Sequence, residues 1–255
     1  MSVAPPIEVF PVRTPTLPPA THTNCYRVGR TLIDPASPYP DEQERLAEWA
    51  GEVERIVITH HHGDHVGGVA DLAQRTGAPV YAHRDARVDF RVDVRLKDDE
   101  VIDAGAASLR CLHTPGHADG HLAFQLDDSG EIIAGDLVAG VGTIVLVQPE
   151  GNLAVYLASL ARVGAIATRL WPAHGLSVGL DVLEHYIRHR HMRTGQFETC
   201  LRSRGRATPI DIAATVYAGI PGVDFGFAAL QVATHLTWLE GEGRIRRDGD
   251  AWVPV

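Results

Sequence analysis

Short apolar runs recur along the first two thirds of the chain, each closed by a turn or a polar cluster. They lie at 55–59 (RIVIT), 80–83 (VYAH), 109–112 (LRCL), 122–126 (LAFQL), 132–134 (IIA) and 169–171 (RLW). Their length and β-branched content predict buried strands. Between some of them the pattern turns helical, predicting helices over 40–50, 66–75 and 153–163. Strands interleaved with helices predict a layered α/β domain.

After about residue 185 the pattern changes. Residues 183–204 form a long helix-like stretch rich in Arg and His. Thr208-Pro209 supplies an N-cap and a proline at the first helical position, opening a short helix to about Tyr217. A second helix runs from about Phe227 to Glu242, with Leu230, Ala233, Leu236 and Leu239 at helical spacing. Asp248-Gly249 then reads as the turn of a hairpin. Helix, helix, hairpin is the order of a small winged-helix unit, so two domains are expected, 1–185 and 186–255.

Composition narrows the class. With 255 residues, 45% hydrophobic and 22% charged, the chain can bury one large core, and wholesale disorder or a fibrous protein is excluded. No run approaches ~18 uncharged apolar residues, which argues against a membrane span. The N-terminal MSVAPPIEVFPVRTP lacks the basic and apolar regions of a secretory signal. Cys25, Cys111 and Cys200 are far apart and odd in number, so no disulfide framework is expected and a cytoplasmic location is. The net charge of −9 divides into −11 over 1–185 and +2 over 186–255, too weak a contrast to announce nucleic-acid binding.

The chemistry concentrates in residues 59–68, THHHGDHVGG, directly after the strand RIVIT. His60, His62, Asp64 and His65 fall within six residues, and imidazole with carboxylate suits zinc and other borderline divalent metals. In an extended turn His60 and His62 project to one side, while alternation turns His61 away. Asp64 and His65 follow where the next helix begins, and two ligand pairs on one turn can serve two adjacent metals. Three more ligand-type residues follow strands: His117 in TPGHADGH, Asp136 in AGD and His174 in PAHG. Together they fall on one edge of the layered domain, where α/β sites lie. Arg188, Arg190 and Arg193 sit on the Arg-rich helix and would meet an anionic substrate if that helix bordered the cleft.

This ordered set, H-x-H-x-D-H followed by His117, Asp136 and His174, resembles the metallo-β-lactamase superfamily. The resemblance implies a four-layered αββα sandwich with the metals at one edge of its two sheets, followed here by the small C-terminal winged-helix-like domain. It implies that His60, His62 and His117 hold one metal, that Asp64, His65 and His174 hold a second, and that Asp136 bridges them. His121 would then take a supporting or substrate-facing place. The expected cofactor is zinc, two ions per chain, with manganese or iron as alternatives. The expected nucleophile is a hydroxide bridging the metals, with Asp64 as a catalytic residue as well as a ligand.

The segment THTNCYRVG (21–29), the helix YIRHRHMR (186–193) and the tail extend the resemblance to the β-lactamase-like protein 2 group. Its characterised members are metal-dependent endoribonucleases, which implies single-stranded RNA as a substrate. The alternative expectation is hydrolysis of a small thioester, ester or lactone, which the acidic body does not oppose. Iron-dependent redox chemistry is disfavoured by the complete second ligand set. Sequence-specific DNA binding is not expected, because 227–242 carries no Arg or Lys. The apolar helix of the tail suggests a homodimer.

Overall fold

The structure is a computed structural model that describes residues 7–105 and 107–255. The start of the segment read for a secretory signal, residues 1–6, lies outside the described residues. The body begins with β1 (Glu8–Arg13), β2 (His22–Val28), β3 (Thr31–Ile33), α1 (Pro40–Ala50), β4 (Arg55–Val57), α2 (Gly63–Val66), α3 (Val69–Thr76), β5 (Val80–His83) and β6 (Val94–Leu96). The second half follows as β7 (Val101–Asp103), β8 (Ser108–His113), β9 (Leu122–Leu126), β10 (Glu131–Gly135), α4 (Leu153–Gly164) and β11 (Arg169–Pro172). The tail comprises α5 (Asp181–Arg204), α6 (Pro209–Val216), α7 (Phe225–Gly241), β12 (Ile245–Asp248) and β13 (Ala251–Pro254).

Two sheets stack face to face, ordered β1-β2-β3-β4-β5-β6 and β11-β10-β9-β8-β7. Tyr26, Val28, Ile33, Val57, Leu109 and Phe124 are among the side chains that fill the space between them. The outer face of the first sheet is covered by α1 and α3 through Leu46, Ala50, Val69 and Leu72. The outer face of the second is covered by α4 and the start of α5 through Tyr156, Leu160, Leu183 and Tyr186. The layers therefore run helix, sheet, sheet, helix, the αββα sandwich that the family resemblance implied. Most positions of the apolar runs are buried because helices cover the outer face of each sheet, although in 169–171 Leu170 alone is buried.

The helix expected over 66–75 is in fact two, α2 and α3, broken at Gly67-Gly68. The loop after β3 lies against this break. A Cβ on Gly67 would sit 2.7 Å from the Ala36 carbonyl oxygen, and one on Gly68 would sit 2.6 Å from that of Pro35. The Gly68 N–H donates to Pro35 O at 2.9 Å. Gly67→Ala is therefore expected to push two backbones apart and cost about 1–3 kcal/mol, lowering Tm by on the order of 5 °C in a calorimetric melt.

α5 crosses from one core to the other. Leu183 and Tyr186 belong to the body, whereas Phe197, Cys200 and Leu201 join Ile212, Val232, Leu236, Leu239 and Trp252 in the core of the tail. Thr208 caps α6 in a reciprocal capping box with Asp211. The hairpin β12–β13 turns at Gly249, and Ala207 bridges to Trp252 as a further short strand. This is a winged helix. Of the α7 positions that suggested a homodimer, Leu236 and Leu239 lie in this internal core, whereas Leu230 is exposed. Among the described residues no helix is long and apolar enough to cross a membrane.

The arginines of α5 do not border the cleft. Arg190 is buried, stacks 5.4 Å from the Tyr156 ring centroid and donates to Ile144 O. Arg188 pairs with Glu184, and Arg193 stacks on Tyr217. Their sequence spacing gave them a common helix but not a common face. All three cysteines are buried and free.

Candidate metal centre

Each ligand-type segment leaves the C-terminal end of a strand, and the two sheets are tied together at that end. Leu122 N–H donates to Thr59 O at 2.8 Å, and Asn24 N–H donates to Ala173 O at 2.7 Å. The turn after β4 is held by a buried carboxylate. Asp34 accepts the Thr59 N–H at 2.7 Å on Oδ1 and the Thr59 hydroxyl at 2.6 Å on Oδ2. Its Oδ2 also accepts from His65 Nδ1 at 2.8 Å.

His60, His62 and His117 converge. His60 Nε2 lies 3.0 Å from His62 Nδ1 and 3.2 Å from His117 Nε2. Tetrahedral zinc with Zn–N of about 2.0–2.1 Å separates its ligand nitrogens by about 3.3 Å, so the spacing fits such an ion. Asp64, His65 and His174 form a second group, with His174 Nε2 3.6 Å from Asp64 Oδ2. Asp136 lies between the groups. Its Oδ2 is 3.5 Å from His117 Nε2, and its Oδ1 is 3.4 Å from His65 Nε2 and 3.3 Å from His174 Nε2.

The far side of each imidazole is also engaged. His117 Nδ1–H donates to Val145 O at 2.8 Å, and His174 Nδ1–H donates to His22 O at 3.0 Å. Each bond fixes the tautomer that leaves Nε2 as a lone pair facing the centre. His121 stands apart from the ligand groups. Its Nε2 accepts the Asp136 N–H at 3.0 Å and its Nδ1–H donates to Thr114 Oγ1 at 2.8 Å, so it holds the backbone of Asp136. Gly135 must be glycine there, for with φ of +52° a Cβ would meet His121 Nε2 at 2.8 Å.

The electrostatics ask for cations. Burial, with the neighbouring imidazoles adding to it, pushes His60 well below the ordinary histidine value and His62 down to about 3. Burial also lowers His117. These rings are neutral, as ligands must be. Burial works against ionised Asp136 too, yet His65 and His174 outweigh it and hold the carboxyl well below the usual carboxylate range. His65 is driven the other way: burial lowers it, but Asp136 and Asp34 overcome that and raise it well above its ordinary value. The carboxylates that raise His65 would be satisfied equally by a divalent cation in this place. Among the described residues, buried His65 Nε2 and Asp136 Oδ1 have no hydrogen-bond partner. An ion between the groups would satisfy both.

A cavity of about 920 Å³ opens over the centre. His62, Asp64, His117, Asp136 and His174 form its floor. Its walls are mostly apolar, from residues 15–20, from 141–147 and from Phe227 of α7. Sequence reasoning turned His61 away from the metals. Its ring lines the cavity with Nε2 3.2 Å from Glu150 Oε2, and with His62 and Glu150 it forms a further group whose ligand atoms lie within 4.8 Å of one another. Among the described residues Arg87 is the one Arg or Lys in the lining, and it is committed to Glu150 at 3.1 Å and Asp119 at 2.8 Å. Asp34, Arg87 and Glu150 were missed by sequence reasoning. Only Asp34 had a local signal, as an Asp-Pro pair closing a strand, where its φ of +52° suits Asp better than most residues.

A two-sheet αββα sandwich with two His/Asp groups sharing one carboxylate defines a class of metal-dependent hydrolases. Residues 18–166 match the Metallo-beta-lactamase superfamily, and residues 208–252 match the Beta-lactamase associated winged helix domain. The chain belongs to the metallo-beta-lactamase superfamily and is one of its metal-dependent hydrolases. It is 32% identical over 243 residues to the lactamase-like protein vrtG of Penicillium aethiopicum, covering 87% of this chain and 76% of the relative. It is 28% identical to a beta-lactamase-like protein 2 homolog of Drosophila melanogaster, covering 88% and 84%. A metallo-beta-lactamase family protein from Thermus thermophilus has the same fold over 98% of both chains, with a TM-score of 0.84 at 22% identity.

Proposed function

We propose that the protein is a dinuclear zinc hydrolase of a small, largely apolar ester, thioester or lactone. The cavity carries this reading: its walls are apolar and its one Arg among the described residues, Arg87, is already paired with two carboxylates. A nucleic-acid backbone needs several unpaired Lys or Arg side chains, and the described lining offers none. The expected RNA substrate is therefore the second reading, favoured only by the similarity to beta-lactamase-like protein 2 homologs.

In this reading His60, His62 and His117 would hold one zinc and Asp64, His65 and His174 the other, with Asp136 offered to both. When bound, the metals supply an activated water and polarise the substrate carbonyl. Asp64 has a side-chain exposure of 20% against 10% for Asp136, so it is the carboxylate more open to the cavity. Besides ligating the second metal, it would orient the attacking water from that side of the cavity. His117 and His174 keep their tautomers through Val145 O and His22 O, so neither ring turns during turnover. The apolar walls take up the acyl or aromatic part of the substrate and exclude competing water.

The test sets nitrophenyl esters and thioesters of short and long acyl chains beside a fluorescent single-stranded RNA. Zinc-, manganese- and iron-loaded proteins are assayed in parallel. We expect kcat/KM for the longest apolar chain that fits to exceed the shortest by at least about tenfold, as burying two or more methylenes would give. We expect no RNA cleavage. Cleavage of RNA by wild type, absent in an identically purified Asp136→Ala protein, would replace this reading with the endoribonuclease one.

A further inference from the structure

Residues 141–150 run as a strap over the cavity, and they contain neither helix nor strand. Backbone groups there must find partners elsewhere. On the metal side, Val145 O accepts the Nδ1–H of His117. On the other side the partners come from the winged helix. Leu146 N–H donates to Gln231 Oε1 at 3.0 Å, and Leu146 O accepts the Thr234 hydroxyl at 2.8 Å. Gln148 Nε2 donates to Thr237 Oγ1 at 2.8 Å. Gln231, Thr234 and Thr237 are successive i, i+3 positions, one stripe of α7. Thr234 reaches the strap at 2.8 Å, against 3.3 Å to the Leu230 carbonyl of its own helix.

We propose that α7 is a positioning element of the metal centre: it grips Leu146 at both backbone polar groups, fixes the adjoining Val145 carbonyl, and through it orients His117. Thr234 and Gln231 are the positioning residues. The chain of bonds is short, from Thr234 to Leu146, one peptide to Val145, then to the ligand ring. A helix in this place in a DNA-binding winged helix would enter the major groove. Here α7 has no Arg or Lys between Phe225 and Gly241, and this stripe faces the hydrolase body. The tail thus completes the active site of its own chain. The inference rests on the metal-centre reading above, but not on the choice of substrate.

The test measures zinc affinity of the full chain by competition with a chelating indicator, using zinc alone and no substrate. Thr234→Val removes the hydroxyl and keeps the shape, and Thr234→Ser restores the hydroxyl. We expect Thr234→Val to weaken zinc binding about tenfold, the low end of what outer partners of metal ligands contribute, and Thr234→Ser to stay within about twofold of wild type. A Thr234→Val protein with wild-type zinc affinity overturns the proposal, whatever its melting temperature. If that variant fails to fold, Gln231→Leu is judged by the same two outcomes. Wild-type protein that takes up no zinc sinks the metal-centre reading and this proposal with it, a result the first titration reports before any variant is compared. A blank ester panel with weakened zinc binding in Thr234→Val would remove the substrate reading and leave the positioning role standing.

Discussion

Asp136→Ala is expected to give a folded protein that retains at most one metal and loses at least about a thousandfold in kcat/KM. The size follows from the place of the side chain. Its two oxygens lie within 3.5 Å of His117, His65 and His174, so among the described residues it is the carboxylate shared by both ligand groups. Without it two divalent ions would face each other across neutral imidazoles with no anion between them. Losing the activation supplied by a paired site costs several kcal/mol of transition-state stabilisation, and about 4 kcal/mol is a factor of a thousand. The fold is expected to survive because alanine keeps the backbone N–H that donates to His121. Metal content by elemental mass spectrometry and kcat/KM on the best ester check the two halves of the expectation. Asp64→Ala and His62→Ala should lose turnover similarly, each emptying one group. Full activity with two bound metals in Asp136→Ala would remove the bridging role.

The parts of this site legible in the sequence are those built from neighbours in the chain. Four ligand-type residues between positions 60 and 65 need only one turn to converge, and a turn after a buried strand is visible as a change in hydrophobic period. His117, Asp136 and His174 were legible for the same reason, each standing just past a strand end. Four of the six strands of the first sheet were not read: β1, β2, β3 and β6. β1 contains Pro11 and sits at the sheet edge, and β3 and β6 are three residues long, so neither periodicity nor length marks them. The strap and its link to α7 join positions some 90 residues apart, as in the Gln148–Thr237 bond, and no local pattern encodes such a pairing. The arginines of α5 show the converse error. They look alike in sequence, but burial of Arg190 against Tyr156 and Ile144 makes it part of the core.

Asp34 is the sharpest case of function hidden by distance, and its replacement carries the largest expected effect on stability. It is 1% exposed, and its carboxylate takes three donors from residues 25 and 31 positions away. Asp34→Ala would strand the Thr59 N–H, the Thr59 hydroxyl and the His65 Nδ1–H in a buried place, where each unmet donor costs about 1–3 kcal/mol. Breaking a buried ionic contact from one side costs about 3–5 kcal/mol in all, so Tm should fall by on the order of 10 °C. Asp34→Asn separates the two duties of the residue. Its amide oxygen can still accept from the Thr59 backbone, so most of the stability should remain. Its neutral side chain no longer supports His65 as a metal ligand, and the affinity of the Asp64, His65 and His174 group for zinc should drop about 10–100-fold. Calorimetry and a two-site zinc titration on the pair of variants read these effects independently. Equal melting temperatures for the two variants would mean that the hydrogen bonds to Thr59 carry little of the stability. Unchanged zinc binding in Asp34→Asn would mean that the second group does not depend on the charge behind His65.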